Sequence, residues 1–559
     1  MRTQRRYGLG LAVTGLVGSA ALIAGVAPAM AAAAPHNGAP AASAPVLPVY
    51  DVRSSGLTTA QTVALQRAFG LPSVERAQDG SVRYSDESAF LAVPTVDRGS
   101  GGVGEDGQTT RAAALDMAAI RAIIPISGTD ALARTARALR DAGLTPADGR
   151  ATADNTSLEV VSTNGTQLAG AKLDTTVAYS FTLGGLPYEG PGAKVRVAYD
   201  GQGRVVQLSH SSRGLAQVGT VAVVDLAAGH QRCGTALRGP ASVRASYAYE
   251  APALSRHVGR IEPSLRCEGF TSEGDALQVI FVPAAASAQL PPPVLTPPTR
   301  PTSGAGLGTA GLGAVGLGTV PQSQQSTQTN VISVGSEGTG VCSGLPHTGT
   351  NLDSFNDEFS GRGIPVDFSW LDGNAWERDW KDAAYGGTDS SWTDDVDMAY
   401  WQGHGTPTGF MFDGCSNVND DFMANTEARW GNKDAEWISL FTCNILKGTS
   451  GNKAWWQRWG NAFHGLHQIN SFATVSNHSS DHGTKYGEYL LRNNPKTVKN
   501  AWAWASIDDQ PSTVKFASMG PVSDDDLVNV NDYFWNKGAV GPDVPRSDLT
   551  AYWYLVGIS

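Results

Sequence analysis

After its first 26 residues, the 559-residue sequence has no apolar run near the roughly 20 residues that a membrane-spanning helix needs. This absence excludes a later membrane span. Basic residues are also in deficit, because 41 lysines and arginines face 52 aspartates and glutamates, for a net charge of −11. Nucleic acid is therefore not an expected partner. Cysteine is scarce, with five residues, and tryptophan is missing from the first 369 positions.

The first residues match the pattern of a secretory signal peptide. Arginines at positions 2, 5 and 6 precede an apolar run over residues 9–26, and small residues at 29–31 suit a cleavage site. We therefore expect residues 1–31 to be a signal peptide and the mature protein to be secreted. The following stretch, 32–46, is rich in alanine and proline and is predicted to be disordered.

A second change of composition lies at residues 283–330. This stretch is first proline-rich, then glycine-rich and finally rich in glutamine and serine, so it offers no core and is predicted to be a linker. All 14 tryptophans lie beyond it, from Trp370 to Trp553, together with most of the acidic excess. The sequence therefore predicts two independently folded units, residues 47–282 and residues 331–559.

The first unit has the pattern of an α+β domain. Apolar residues at helical spacing over 129–144 end at Gly143, which suits a helix C-terminus. Alternating apolar residues on both sides of Asp200-Gly201 predict a β-hairpin. This half contains no nucleophile motif, metal cluster or phosphate loop, so we expect either a propeptide or an accessory module.

The second unit is predicted to be α/β with a mostly parallel sheet. Apolar runs at 396–402, 435–441 and 468–475 indicate buried strands, and 453–464 and 498–507 have helical patterns. Strands that alternate with helices favour parallel pairing through right-handed crossovers.

Two of these predicted strands end in residues that can carry chemistry. The first is followed by His404-Gly405 and the second by Thr442-Cys443. Residues just past the carboxyl ends of parallel strands face the ligand site, so the pair could meet over one substrate. Cys443 is then the candidate nucleophile and His404 its base, since a thiol attacks an amide well only after losing its proton. The backbone N–H groups of Gly405 and Cys443 are predicted to form the oxyanion hole.

The cysteine count agrees with this assignment. In an exported protein the simplest pairing is Cys233–Cys267 and Cys342–Cys415, which leaves Cys443 unpaired. A Cys415–Cys443 bridge would instead exclude a catalytic thiol.

The His-Gly and Cys motifs resemble those of the caspase/gingipain/legumain group of cysteine peptidases. The stretches G-H-G-T-P-T-G-F-M-F, F-T-C-N-I-L and G-L-H-Q-I-N-S-F-A-T look more closely like an uncharacterised exported bacterial domain family, distantly related to that group. The resemblance covers about residues 340–515. It implies an α/β/α sandwich and a cysteine endopeptidase acting on a peptide or protein substrate. Thr442 departs from the group, which more often has alanine, serine or glycine there.

Two other functions remain open. One is a binding or structural module that keeps the fold without turnover. The other is a metal-dependent hydrolase using His464, His467, His478 and His482, although no metal ligand set is assigned and no cofactor is indicated. His467 and Asn477 bracket the third predicted strand and are expected to lie near the cleft.

Overall fold

The computed structural model describes residues 44–104, 107–290, 331–412 and 420–559. The expected signal peptide, most of the predicted linker and Cys415 lie outside these ranges. The chain from Ala44 to Ser559 forms one compact unit. Within the described ranges, no helix is long and apolar enough to cross a membrane.

The N-terminal region, residues 44–290, is built mainly from strands. Its helices are α1 (Thr59–Ala68), α2 (Met117–Ala122), α3 (Gly128–Asp141) and α4 (Leu226–Leu237). Its strands are β1 (Val46–Ser55), β2 (Glu75–Arg76), β3 (Val82–Ser85), β4 (Thr95–Val103), β5 (Thr109–Leu115), β6 (Gly149–Asp154), β7 (Ser157–Ser162), β8 (Gln167–Lys172), β9 (Thr175–Leu183), β10 (Leu186–Glu189), β11 (Lys194–Tyr199), β12 (Val205–Ser211), β13 (Arg213–Ala222), β14 (Ser242–Glu250), β15 (Arg260–Ile261), β16 (Pro263–Phe270) and β17 (Ile280–Pro283). The predicted hairpin is β11–β12, and Gly143 follows α3 with a φ of 69°.

The described part of the C-terminal region, residues 331–559, contains four α-helices and twelve strands. Its helices are α5 (Thr348–Ser360), α6 (Trp455–Trp459), α7 (His482–Leu491) and α8 (Val498–Asp509). Its strands are β18 (Val334–Gly338), β19 (Val366–Leu371), β20 (Met398–Gln402), β21 (Gly405–Thr406), β22 (Gly409–Met411), β23 (Phe422–Ala424), β24 (Trp437–Phe441), β25 (Thr449–Ser450), β26 (Lys453–Ala454), β27 (Gln468–Phe472), β28 (Lys515–Ser523) and β29 (Leu549–Ile558).

The main sheet of the C-terminal region is mixed, so the expectation of a mostly parallel sheet is wrong. Its strand order is β19-β18-β20-β24-β27-β28-β29-β7-β8. Neighbours from β19 to β27 run parallel, and those from β27 to β8 run antiparallel. The direction changes after β27 because two helices, α7 and α8, precede β28. The first helix, α7, returns the chain from the carboxyl end of β27 towards its amino end, and the second, α8, carries it back again. β28 therefore starts beside the carboxyl end of β27 and runs antiparallel to it.

Strands from the N-terminal region complete this sheet. β7 pairs with the C-terminal strand β29, with Val160 opposite Trp553, and β8 pairs with β7. Residues 47–282 and 331–559, predicted to be two units, therefore both contribute strands to one sheet. Strand pairing depends on edge complementarity and not on closeness in sequence, and no compositional signal marks β7 as the partner of β29.

The two faces of the parallel strands are covered differently. Met398 and Tyr400 of β20 face a core with helices α5, α7 and α8. Ala399 and Trp401 alternate to the other face, as strand geometry requires. That face packs against α6, against Phe410 of the short strand β22, and against aromatic side chains outside the regular helices and strands, among them Trp380, Trp430 and Phe412.

Candidate functional site

The strand order places a topological switch point between β18 and β20. The chain moves from β18 outward to β19 on one side, and then returns to β20 on the other side. In open α/β sheets ligands bind at the carboxyl ends of the strands beside such a switch. The loop after β18 contains Val341–Ser343, the loop after β20 contains His404, and Cys443 follows the next strand, β24.

The pairing register of β20 and β24 places the two predicted motifs side by side, just beyond the carboxyl ends of these strands. Gln402 of β20 pairs with Phe441 of β24, so His404 and Cys443 each lie two residues beyond a matched pair. The motifs also touch, because a Cβ placed on Gly405 would collide with Oγ1 of Thr442. The backbones of the two predicted motifs therefore lie next to each other.

His404 is held as a neutral imidazole with one free nitrogen. Its Nε2–H donates to the carbonyl oxygen of Ser343 at 3.0 Å, which leaves the lone pair on Nδ1. That Nδ1 is buried, and among the residues that the structure describes it has no hydrogen-bond partner. Burial lowers the pKa of His404 to about 4, so the ring is unprotonated at neutral pH. The neutral ring can accept a proton, as a general base must. Its low pKa, however, makes it a weak base in this buried environment.

Cys443 is the free cysteine of the described residues, and its side chain is fully buried. Its Sγ accepts a hydrogen bond from the N–H of Ser476 at 3.2 Å and lies 3.6 Å from the hydroxyl of Ser476. Burial raises the pKa of the thiol to about 12. Within the described chain no hydrogen bond joins His404 to Cys443, so this arrangement keeps the proton on sulfur.

Two residues next to the strand ends hold left-handed backbone conformations. Asn444 has a φ of 61° directly after Cys443, and its N–H donates to the carbonyl of Thr474 at 3.1 Å. Asp372, with a φ of 54°, follows β19. Its Oδ1 accepts from the N–H of Gly340 at 2.7 Å, which anchors the loop that positions Ser343. Asparagine and aspartate tolerate this region better than most residues, and such conformations concentrate at functional sites.

Two further histidines, which stack on each other, lie at the carboxyl ends of the same strands. The rings of His347 and His478 stack with centroids 5.4 Å apart, and His478 Nδ1 lies 3.1 Å from the side-chain nitrogen of Gln402. Burial, followed by the neighbouring His347 and His404, lowers the pKa of His478 well below its ordinary value. His404 is thus near two further imidazoles, His478 and the partly buried His347, whose pKa values are also lowered.

The two residues expected to line the cleft, His467 and Asn477, lie at opposite ends of strand β27. Asn477 follows β27 and sits beside Ser476, near Cys443. His467 precedes the same strand, and its N–H donates to Glu436, which precedes β24. About seven residues of strand separate these two levels, or roughly 20 Å. His467 is therefore not part of this site, since residues that bracket a strand lie at its two ends.

The later histidines contact separate partners. His482 begins α7 and lies 3.2 Å from the Tyr400 hydroxyl, while His478 lies outside that helix against Gln402. His467 lies between the carboxylates of Asp532 and Asp543. Among the residues that the structure describes, no group of three or more histidine, cysteine or acidic side chains is arranged to hold a metal ion.

The predicted disulfide Cys233–Cys267 is present, and it joins α4 to β16. Cys342 is also disulfide-bonded. The predicted pairing of Cys342 with Cys415 involves a residue outside the described ranges. The free thiol is therefore the one that the cysteine count leaves at the end of β24.

Sequence reasoning missed the loop after β18 and the residues around the thiol. Ser343, Asp372 and Ser476 have side chains or carbonyls that are common everywhere in proteins. The apolar run V-I-S-V at 331–334, which leads into β18, is the signal that could have located this strand and the loop after it. No comparable signal marks Ser476.

Comparison with known families covers the C-terminal region. Residues 333–557 match the model of a family described as Domain of unknown function (DUF6345). That range contains β18 to β29, with His404 and Cys443, and excludes the N-terminal region. No curated protein matches the sequence.

Proposed function

We propose that the protein is an exported cysteine peptidase with a caspase-like C-terminal domain, in which Cys443 is the nucleophile and His404 the base. The observation that carries this proposal is the register of two adjacent parallel strands, which sets His404 and Cys443 at equivalent positions beside the topological switch. The helices α5, α7 and α8 on one face, with α6 and aromatic loops on the other, are compatible with a three-layer arrangement.

In the proposed reaction His404 Nδ1 takes the proton from Cys443 Sγ, and the thiolate attacks the carbonyl carbon of the scissile peptide bond. The developing oxyanion is held by backbone N–H groups, for which Gly405 and Cys443 remain the candidates. The imidazolium then returns its proton to the departing amine. Water, deprotonated by the same ring, hydrolyses the thioester and regenerates the thiol.

The described state is a closed form of such an enzyme. With the pKa of the thiol near 12 and that of the imidazole near 4, proton transfer from Cys443 to His404 is unfavourable. Burial dominates both shifts, so entry of water or substrate moves both values towards each other. Activity therefore requires an opening that exposes this edge of the sheet.

A non-catalytic binding module is the second candidate. The complete burial of Cys443, together with the lack of a hydrogen bond from His404 to it, favours this alternative. Both candidates use the same fold, and they differ only in whether the protein cleaves a peptide bond.

The decisive experiment is a peptide-library cleavage assay, with products read by mass spectrometry, on the intact protein and after limited proteolysis. We expect cleavage by the wild type and none by Cys443→Ala, with a large loss in His404→Ala. His230→Ala, at an exposed helix position, is the matched control and should retain full activity. Cleavage that persists in Cys443→Ala, or none from any preparation, contradicts the proposal. Addition of a chelator separates thiol from metal-dependent hydrolysis.

A further inference from the structure

A short segment of the N-terminal region, Ala276–Val279, lies across the carboxyl ends of β24 and β27. Val279 forms a parallel bridge with Asn477, donating its N–H to the carbonyl of Ser476 at 3.0 Å. The N–H of His478 in turn donates to the carbonyl of Val279 at 2.8 Å. The segment is therefore bound by backbone hydrogen bonds, as an added strand is bound at a sheet edge.

The side chain of Gln278 enters the space beside the thiol. Its Nε2 donates to the carbonyl of Phe441 at 2.9 Å and contacts the Ser476 hydroxyl at 3.4 Å. That hydroxyl is the one that contacts Cys443 Sγ. Gln278 is fully buried, and within the part of the chain that the structure describes its Oε1 has no hydrogen-bond partner. A buried carboxamide with an unsatisfied oxygen costs free energy that a purely structural filler would avoid.

Further contacts hold the segment in place over the site. Asn444, directly after Cys443, donates from its side chain to the carbonyl of Ala276 at 3.1 Å. On the other side of the site, Gly344 packs so closely on α4 that a Cβ would collide with the backbone of Ala236 and Leu237. The N-terminal region thus covers the edge from both sides.

We propose that the carboxyl ends of β24 and β27 form a peptide-binding groove for an extended segment with a carboxamide side chain. Ala276–Val279 occupies this groove as an intramolecular ligand. The groove consists of the backbone of residues 476–478 for the peptide main chain and of the Phe441 carbonyl with Ser476 for the side chain. This inference rests on the proposed function, since it takes the Cys443 site as the place where a peptide binds. It also accounts for the buried thiol: the occupant excludes water and substrate together.

The test measures how fast Cys443 of the full-length protein reacts with iodoacetamide, located by mass spectrometry. We expect the wild-type thiol to be protected and Gln278→Ala to react about tenfold faster or more, the change expected from one lost buried hydrogen bond. Val279→Pro is the second variant, because proline cannot donate to Ser476. Gln231→Ala, on the exposed side of α4, is the matched control and should keep the wild-type rate. Tryptophan fluorescence verifies that each variant is folded.

A synthetic peptide of residues 274–283, added to the variants, should restore protection, and the same peptide with alanine at position 278 should fail. Equal protection of Cys443 in all variants, or equal rescue by the two peptides, overturns the groove. The outcome is separate from that of the peptidase assay. Peptide protection without any cleavage supports the groove in a binding module, whereas cleavage with an unchanged labelling rate supports the enzyme and overturns the groove.

Discussion

His467 is a buried imidazole between two carboxylates. It lies at the amino ends of the parallel strands, whereas Cys443 lies at their carboxyl ends. Its Nδ1 lies 2.7 Å from Asp532 and its Nε2 lies 3.1 Å from Asp543. Burial by itself lowers the pKa of His467, but the hydrogen bonds and charges of the two carboxylates outweigh it and raise the pKa to about 9. The pKa of histidine therefore shifts in opposite directions at the two ends of the strands, because His404 is hydrogen-bonded to the neutral carbonyl of Ser343 and His467 to two carboxylates.

The first prediction concerns the pH dependence of this pair. Since the folded pKa of His467 lies above its ordinary 6.5, the ion pair contributes full stability below pH 6.5 and loses it as pH rises towards 9. We expect Asp532→Asn to lower the free energy of unfolding by about 3 kcal/mol more at pH 6 than at pH 9.5. Urea titrations at several pH values measure the difference, and an NMR titration should show one imidazole in the wild type titrating near pH 9. A pH-independent cost would contradict the assignment.

At the scale of elements, β7 is the strand that joins the two parts of the chain. Val160 is fully buried in the core that contains Trp553 and Trp437, whereas its neighbour Glu159 is exposed. Leu158 points to the same core as Val160, whereas Val161 is buried in the core on the other face of the sheet. The C-terminal sheet thus depends on a strand encoded almost 400 residues before its partner.

The second prediction uses this separation. Val160→Ala should lower the free energy of unfolding by about 2 kcal/mol, because it leaves a cavity in a shared core. All tryptophans lie between Trp370 and Trp553, so urea unfolding followed by tryptophan fluorescence reports on the C-terminal region alone. We expect its midpoint to fall for Val160→Ala and to stay constant for Glu159→Gln. A constant midpoint in both would mean that the two parts unfold independently.

Several elements were predictable because their signals are local. The strands before His404 and Cys443 were expected at 396–402 and 435–441 and are found at Met398–Gln402 and Trp437–Phe441. The helical pattern at 453–464 was less reliable: only Trp455–Trp459 is α-helical. There, tryptophans packed on the sheet mimic helical spacing, and tertiary contacts decide where the helix ends.

At the scale of the whole molecule, charged groups are buried between the N-terminal and C-terminal regions. Arg83 pairs with Asp508 at 2.8 Å, Lys194 donates to backbone carbonyls at the C-terminal end of α8, and Arg196 donates to the carbonyl of Ile558. Buried charges are tolerated only when they are paired. Separation of the regions would leave both the charges and the edge of β29 without partners.

The third prediction follows from this interface. A specific protease site introduced within residues 291–330 should yield two pieces that co-elute in size-exclusion chromatography and separate only in denaturant. Cys443 should stay protected from iodoacetamide after this cleavage, because Ala276–Val279 remains on the N-terminal piece. Separate elution in native buffer would contradict the shared sheet. A cut in the predicted linker alone is therefore not expected to expose Cys443.

The sequence by itself determined the apolar strands, the position of His404 and Cys443 at their ends, and the one thiol left over by disulfide pairing. These follow from local patterning and from counting. Only the tertiary structure decided that β7 and β8 complete the C-terminal sheet, that His467 lies at the far edge, and that Ala276–Val279 covers the thiol. Each of these depends on contacts between residues far apart in sequence, which form through complementary edges and buried surface that no short pattern encodes.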